Sequence, residues 1–185
     1  MPAPVPKSGQ NPELKPIAHV YGAFVAALLL SFIPDPLFAV VSVLFFAGVL
    51  VAAYIIRRKS ETDSLTENHM TWVIRTIWIV CLFSFITTAA GGIYLWTQLD
   101  YSAMEPCSAN MGEYILSQGE NISNKQLLAL AEPCKDEFFA ANMRAFIIAA
   151  TIAALPLVLY LVLRITKGLS RAIKGYRIAN PEEWF

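Results

Sequence analysis

The sequence predicts an all-α, polytopic membrane protein: four transmembrane helices with a short helical periplasmic loop. Three observations predict it. Apolar residues gather into four stretches, 17–34, 37–56, 72–95 and 140–163, of 18, 20, 24 and 24 residues, and about 20 apolar residues suffice to cross roughly 30 Å of hydrocarbon. One such run could be a buried core helix; four in 185 residues argue for lipid. Charged residues make up 15% of the chain, against about 25% in ordinary soluble domains.

The third observation is where the positive charges sit. Of 14 Lys and Arg residues, ten lie before the first stretch, between the second and third, or after the fourth. Arg75, at the near end of the third stretch, makes eleven. Lys125, Lys135 and the border residue Arg144 lie on the other side, where the 98–142 loop carries seven acidic residues against two lysines. Positive charge in short loops marks the cytoplasmic face. The expected location is therefore a bacterial inner membrane, multi-pass, with both termini cytoplasmic. The expected divisions are a mobile cytoplasmic tail (1–16), spans one to three (17–97), a periplasmic loop (98–142), and the fourth span with an amphipathic cytoplasmic tail (143–185). Zero net charge implies no nucleic-acid partner.

Five prolines in residues 1–16 favour an extended tail. The first stretch follows Lys7 and Lys15 as a signal peptide would, but it lacks a small-residue cleavage site and runs straight into a second span. It reads as a retained span. A three-span alternative, with this stretch peripheral, would put the amino terminus outside. Pro34-Asp35-Pro36 stops the first helix and turns the chain into the second, which ends in Arg57-Arg58-Lys59. Span three opens with Trp72 and Trp78 and closes with Tyr94 and Trp96, and Gly91-Gly92 should loosen its last turn.

Two short helices are expected in the outer loop: about 108–118, ended by Gly119, and 123–131, with Ser123 and Gln126 as a capping box and Pro133 as its stop. Span four carries Ala141, Ala145, Ala149 and Ala153 on one face, a close-packing seam, and Pro156 should kink it. Beyond it, Ile165, Leu169, Ala172, Ile173 and Tyr176 oppose Arg164, Lys167, Arg171 and Lys174. That pattern suits a helix lying among anionic inner-leaflet headgroups, ended by Gly175.

Candidate chemistry is sparse. Cys107 and Cys134 are the two outer-loop cysteines, each behind Glu-Pro. A structural disulfide is expected between them, since the periplasm is oxidising. Quinone-linked disulfide-generating enzymes share the four-span outline but need a cysteine pair in the first outer loop, which here is Pro34-Asp35-Pro36. Cys81 lies within span three. Intramembrane ionisable residues would suggest transport, but no Asp or Glu lies mid-membrane. His19 reads as a headgroup neighbour, and Ser31, Ser42, Ser84, Thr87, Thr88 and Thr151 as hydroxyls bonding carbonyls of their own helices. Asn121-Ile122-Ser123 is taken as a chance sequon. No catalytic, cofactor-binding or metal-binding residues are expected, and no enzyme.

The segment from Ser64 to Trp78, with His69, Trp72 and Ile74-Arg75-Thr76, resembles the start of the third span in an uncharacterised family of small bacterial multi-pass inner-membrane proteins. Leu163-Arg164-Ile165, Lys167-Gly168-Leu169 and Ile178-Ala179-Asn180-Pro181 before Trp184 match as well. The resemblance covers roughly residues 17–80 and 155–185; it departs at Ile77 and in the long outer loop. That family is distantly similar in fold to the twenty-kilodalton subunit of the chloroplast inner-envelope translocon, which implies a four-helix bundle and no particular activity. His69, Trp72 and Arg75 form an interfacial motif. The preferred reading is an anchor, with Trp at the headgroups and Arg on phosphate; the sharper one is a docking site for the 180–185 tail or a membrane-protein partner. The expected function is structural or accessory, with membrane lipid as partner; a small transporter subunit and a thiol–disulfide oxidoreductase are the alternatives.

Overall fold

The computed structural model describes residues 12–118 and 123–184. The first eleven residues of the expected tail, the stop at Gly119, Asn121-Ile122 of the sequon and Phe185 lie outside the described residues. The protein is all-helical: α1 (Leu14–Ser31), α2 (Pro36–Lys59), α3 (Leu65–Gln98), α4 (Glu105–Gln118), preceded by a short 3₁₀ turn, and α5 (Asn124–Ile173). Four of these, α1, α2, α3 and α5, are long and apolar enough to cross a membrane. The chain divides into two compact units, Met1–Phe83 with Leu157–Phe185, and Ser84–Pro156.

In the first unit, α1 and α2 form the expected hairpin. Asp35 caps α2 by accepting the Leu37 amide at 2.8 Å, and Pro36 takes the first helical position, where its missing N–H costs nothing. α1 begins at Leu14, so residues 14–16 belong to the helix and not to the tail. Ser42 donates to the Ala27 carbonyl across the hairpin (3.1 Å), not within its own helix as expected. Ala27 is fully buried, so this bond ties two backbones directly. Phe24 and Phe46 meet edge to face, 5.6 Å apart. Elsewhere α2 is apolar all round and buries only Ser42, Val49 and Ala53, as suits a helix whose outer face meets lipid rather than water.

α3 starts two turns earlier than its apolar stretch. The Ser64 hydroxyl accepts the Glu67 amide (3.1 Å), and the Glu67 carboxylate accepts the Asp63 amide (2.8 Å). This is a variant of the capping box. At the other end of the unit's chain, α5 closes on Gly175 at φ +70. The Gly175 amide donates to the Ala172 carbonyl and the Tyr176 amide to that of Arg171, the paired bonds of a Schellman stop.

The last turns of α5 are not a headgroup helix. Ile165 and Ala172 are buried and Leu169 packs on the same core, which also holds Ile17, Tyr21, Met70, Val73 and Ile178. The apolar face expected to meet lipid meets the protein itself, leaving Ile173 and Tyr176 exposed.

The second unit holds the last turns of α3, α4 and the first part of α5. α5 runs unbroken for 50 residues, through Pro133 and Pro156. Pro133 was expected to end a short helix. It withdraws one N–H from the ladder, but strong helix formers on both sides, from Leu127 to Glu132 and from Lys135 to Ala141, carry the helix across. Ser123 and Gln126 do form the capping box at its start: the Gln126 amide donates to the Ser123 hydroxyl and the Ser123 amide to the Gln126 side chain.

Cys107 of α4 and Cys134 of α5 form the disulfide, with Cα atoms 5.4 Å apart. Alkylation with a mass-shift reagent should find Cys81 as the free thiol before reduction and three thiols after it. Cys107→Ser is expected to loosen α4, costing about 3 kcal/mol for a closed loop of this size, while membrane insertion is unchanged. Two additional free thiols in fresh membranes would refute the bridge.

Nearby, Asn142 is buried and binds both main-chain groups of Asp100: the Asp100 amide donates to Oδ1 (2.7 Å), and Nδ2 donates to the Asp100 carbonyl (2.9 Å). The Ser102 hydroxyl and amide both donate to the Asp100 carboxylate and hold it below the usual carboxylate range.

Gly91 does not loosen α3, which continues to Gln98. It permits close approach: a Cβ there would stand 2.9 Å from the Ala149 carbonyl oxygen and 3.6 Å from the Ala153 Cβ. Of the predicted alanine seam, Ala149 is buried, Ala145 and Ala153 are partly so, and Ala141 is exposed. Gly91→Ala should therefore destabilise the protein by about 1–3 kcal/mol through overpacking. Gly92→Ala meets open space and should be neutral or slightly stabilising. Unfolding midpoints in mixed micelles separate the two; equal midpoints would refute the contact.

Candidate functional site

The first turns of α3 bury an unusual number of polar groups: Thr66, Asn68, His69, Thr71 and Thr76 lie inside the first unit, and His69 is wholly enclosed. Trp72 is 1% exposed. The expected headgroup anchor is corrected here, because Trp72 and His69 face the protein. Arg75 alone of the three predicted motif residues is exposed.

What these side chains hold is the segment that follows α5. Asn68 pairs with both main-chain groups of Ile178, accepting its amide at 2.8 Å and donating to its carbonyl at 3.0 Å. His69 Nε2 lies 3.1 Å from the Tyr176 carbonyl. A carbonyl only accepts, so Nε2 carries the proton and Nδ1 is left to accept from the Tyr21 hydroxyl, 3.3 Å away. Arg75 Nη2 donates to the Glu182 carbonyl (2.6 Å), and Arg171 Nη1 to that of Arg177 (3.0 Å). Arg177 in turn reaches the Asp63 carboxylate at 2.6 Å.

Arg164 completes the arrangement from α5. It is 2% exposed. Its Nε donates to the Thr76 hydroxyl (3.1 Å) and its Nη1 to the Glu183 carbonyl (2.7 Å). Its Cζ sits 3.4 Å from the centre of the Trp72 ring, an enclosed cation–π contact. The Trp72 indole N–H returns to the Arg164 carbonyl at 3.1 Å, and the Tyr160 hydroxyl donates to the Trp184 carbonyl at 2.9 Å. Gly168 makes room for this. A Cβ at Gly168 would collide with the Tyr21 hydroxyl and come 3.0 Å from the Trp72 indole nitrogen.

Chemically the site is a clasp for main-chain carbonyls. His69 faces a tyrosine hydroxyl and a carbonyl, so both of its ring nitrogens are engaged within the protein. Among the described residues no group of three or more His, Cys, Asp and Glu could hold a metal ion. His19 stands apart from the clasp, exposed on an apolar groove of about 590 Å³ between α1 and α2.

Of the three predicted motif residues, Arg75 bonds the 180–185 tail as the docking alternative has it, His69 bonds the chain just ahead of it at Tyr176, and Trp72 bonds α5 at Arg164. Tyr21, Asn68 and Tyr160 received no role from the sequence, and Arg164, read there as a headgroup-facing cation, is buried instead. The available signal was a polar and aromatic line at helical spacing, 68, 69, 72 and 76, at the start of a membrane stretch. The chain matches no protein-family model, no curated protein and no solved structure.

Proposed function

We propose that the chain is a structural or accessory protein of the bacterial inner membrane, acting through lipid or another membrane protein rather than by catalysis. The observation that carries this reading is the use made of the polar side chains around the start of α3 and the end of α5. Asn68, His69, Arg75, Tyr160, Arg164 and Arg171 each bind a main-chain carbonyl of the chain's own tail. In this reading the clasp face is cytoplasmic, supported by the positive charge gathered around it, and α4 is periplasmic, where an oxidising compartment would keep Cys107–Cys134 closed.

Reporter fusions at Ser64 and Ser123 should give opposite sidedness, and a fusion in residues 1–16 should match Ser64. Identical sidedness at Ser64 and Ser123 would overturn the orientation. Purified protein in liposomes should carry no solute flux above empty vesicles; sustained flux would replace the accessory role with a transport role.

A further inference from the structure

Arg164 is buried, yet its Nη2 has no hydrogen-bond partner among the described residues. Its charge is also unmatched. Among the described residues the ion pairs are Arg177–Asp63 and Lys135 with Glu132 and Asp136; neither Arg164 nor Arg75 takes part in one. The two arginines instead hold neutral carbonyls of the consecutive residues Glu182 and Glu183. The Glu183 carboxylate accepts from the Asn180 side-chain Nδ2. A buried charge without a counter-charge is costly, and an incompletely satisfied guanidinium fork is shaped for an oxyanion.

Depth in the membrane says which oxyanion is at hand. Residues 76–99 after Arg75 and 145–163 before Arg164 carry no charged side chain. At 1.5 Å per residue these lengths are about 36 and 28 Å, close to the hydrocarbon thickness. Both guanidiniums therefore stand at the edge of the apolar layer, where phosphates lie.

The cover over them is exposed and is held through its main chain. Ile178 is buried and doubly bonded to Asn68. Beyond it, residues 179–184 are exposed apart from the half-buried Pro181. The carbonyl bonds of Glu182, Glu183 and Trp184, with the Trp184 ring 6.3 Å from Phe83, fasten them to the helices. A groove of about 530 Å³ opens between this segment and Arg75.

We propose that Arg75 and Arg164 form a binding site for a phosphate group, and that residues 179–184 are a displaceable strap filling it with main-chain carbonyls. With the strap lifted, two phosphate oxygens take Nη1 and Nη2 of Arg164 as a fork, and a third faces Arg75. Trp72, stacked on the guanidinium, fixes its plane. Lys167, 5.3 Å from the same ring, adds positive charge. With the strap down, Glu182 and Glu183 border the groove and their negative charge opposes an anion. Both leaflets of a bilayer carry phosphodiesters, so the inference stands apart from the orientation proposed above.

The test is native mass spectrometry of the detergent-purified full chain and of a variant lacking residues 182–185. Each is titrated with phosphatidylglycerol, with the diacylglycerol of the same chains, and with inorganic phosphate. Phosphatidylglycerol should be retained over diacylglycerol, and removing the strap should tighten it by about tenfold, the worth of one charge-assisted bond. Arg75→Gln, an exposed change, and Arg164→Lys, which keeps the charge but loses the fork, should each reverse that gain. Displacement by millimolar inorganic phosphate would assign the site to free phosphate; resistance to it would assign the site to lipid headgroups. Equal phosphatidylglycerol binding with and without the strap would overturn the proposal. Should the shortened chain not fold, hydrogen exchange on the full chain decides. The amides of residues 182–184 must lose protection on adding phosphatidylglycerol while that of Ile178 keeps it, and unchanged protection at all of them refutes the strap.

Discussion

Trp72→Ala should cost about 4 kcal/mol of stability, the usual range for truncating an enclosed tryptophan being roughly 3–5. The side chain is 1% exposed, packs under Arg164 and donates to the Arg164 carbonyl. Its loss leaves a cavity and strips a buried cation of the ring that faces it. Trp72→Phe keeps a ring in place but loses the indole N–H, and should cost about 1–2 kcal/mol. Trp96, 80% exposed, is the control: Trp96→Ala should stay within about 0.5 kcal/mol. Reversible unfolding in mixed micelles measures all three. Equal losses at positions 72 and 96 would mean that Trp72 is an interfacial anchor after all.

The second large effect is expected at Asn68. Asn68→Leu removes both partners of a buried main-chain pair, the amide and carbonyl of Ile178. Each orphaned group costs about 1–3 kcal/mol, enough to release the tail in part of the population. The readouts are hydrogen exchange at the Ile178 amide and tryptic cleavage after Arg177, both of which should accelerate. Unchanged rates would show that apolar packing of Ile178, and not the amide pair, holds the tail.

The fold was largely legible because lipid imposes simple rules. Runs near 20 apolar residues, a proline turn at 34–36 and a glycine at 175 each have one dominant structural meaning, and the structure follows them. The pairing of Cys107 with Cys134 was equally plain. Local signals misled where tertiary context overrides them. Pro133 reads as a stop, yet it stands inside α5. Gly91 reads as a weak point, yet it is a contact with the Ala149 backbone. The face of Ile165, Leu169 and Ala172 reads as lipid-bound because periodicity marks an apolar face without naming what covers it. The clasp was the least legible part. Its partners are main-chain carbonyls, which every sequence possesses, and Asn68 meets Ile178 across 110 residues. No pattern of side chains can announce such a bond from one side only.

That separation also sets an order of events during synthesis. Asn68 and His69 leave the ribosome with α3, but the carbonyls they hold belong to residues 176 and 178. At about 5–20 residues per second, the gap lasts roughly 5–20 seconds. Throughout that interval a helix that is apolar beyond Arg75 presents an amide and an imidazole without their tail acceptors. The nascent protein must keep this end of α3 in contact with water or in the care of another factor. A message interrupted before codon 176 would yield a chain with all four membrane helices and permanently open polar groups, a form that quality-control proteases could tell from the finished protein by this end alone.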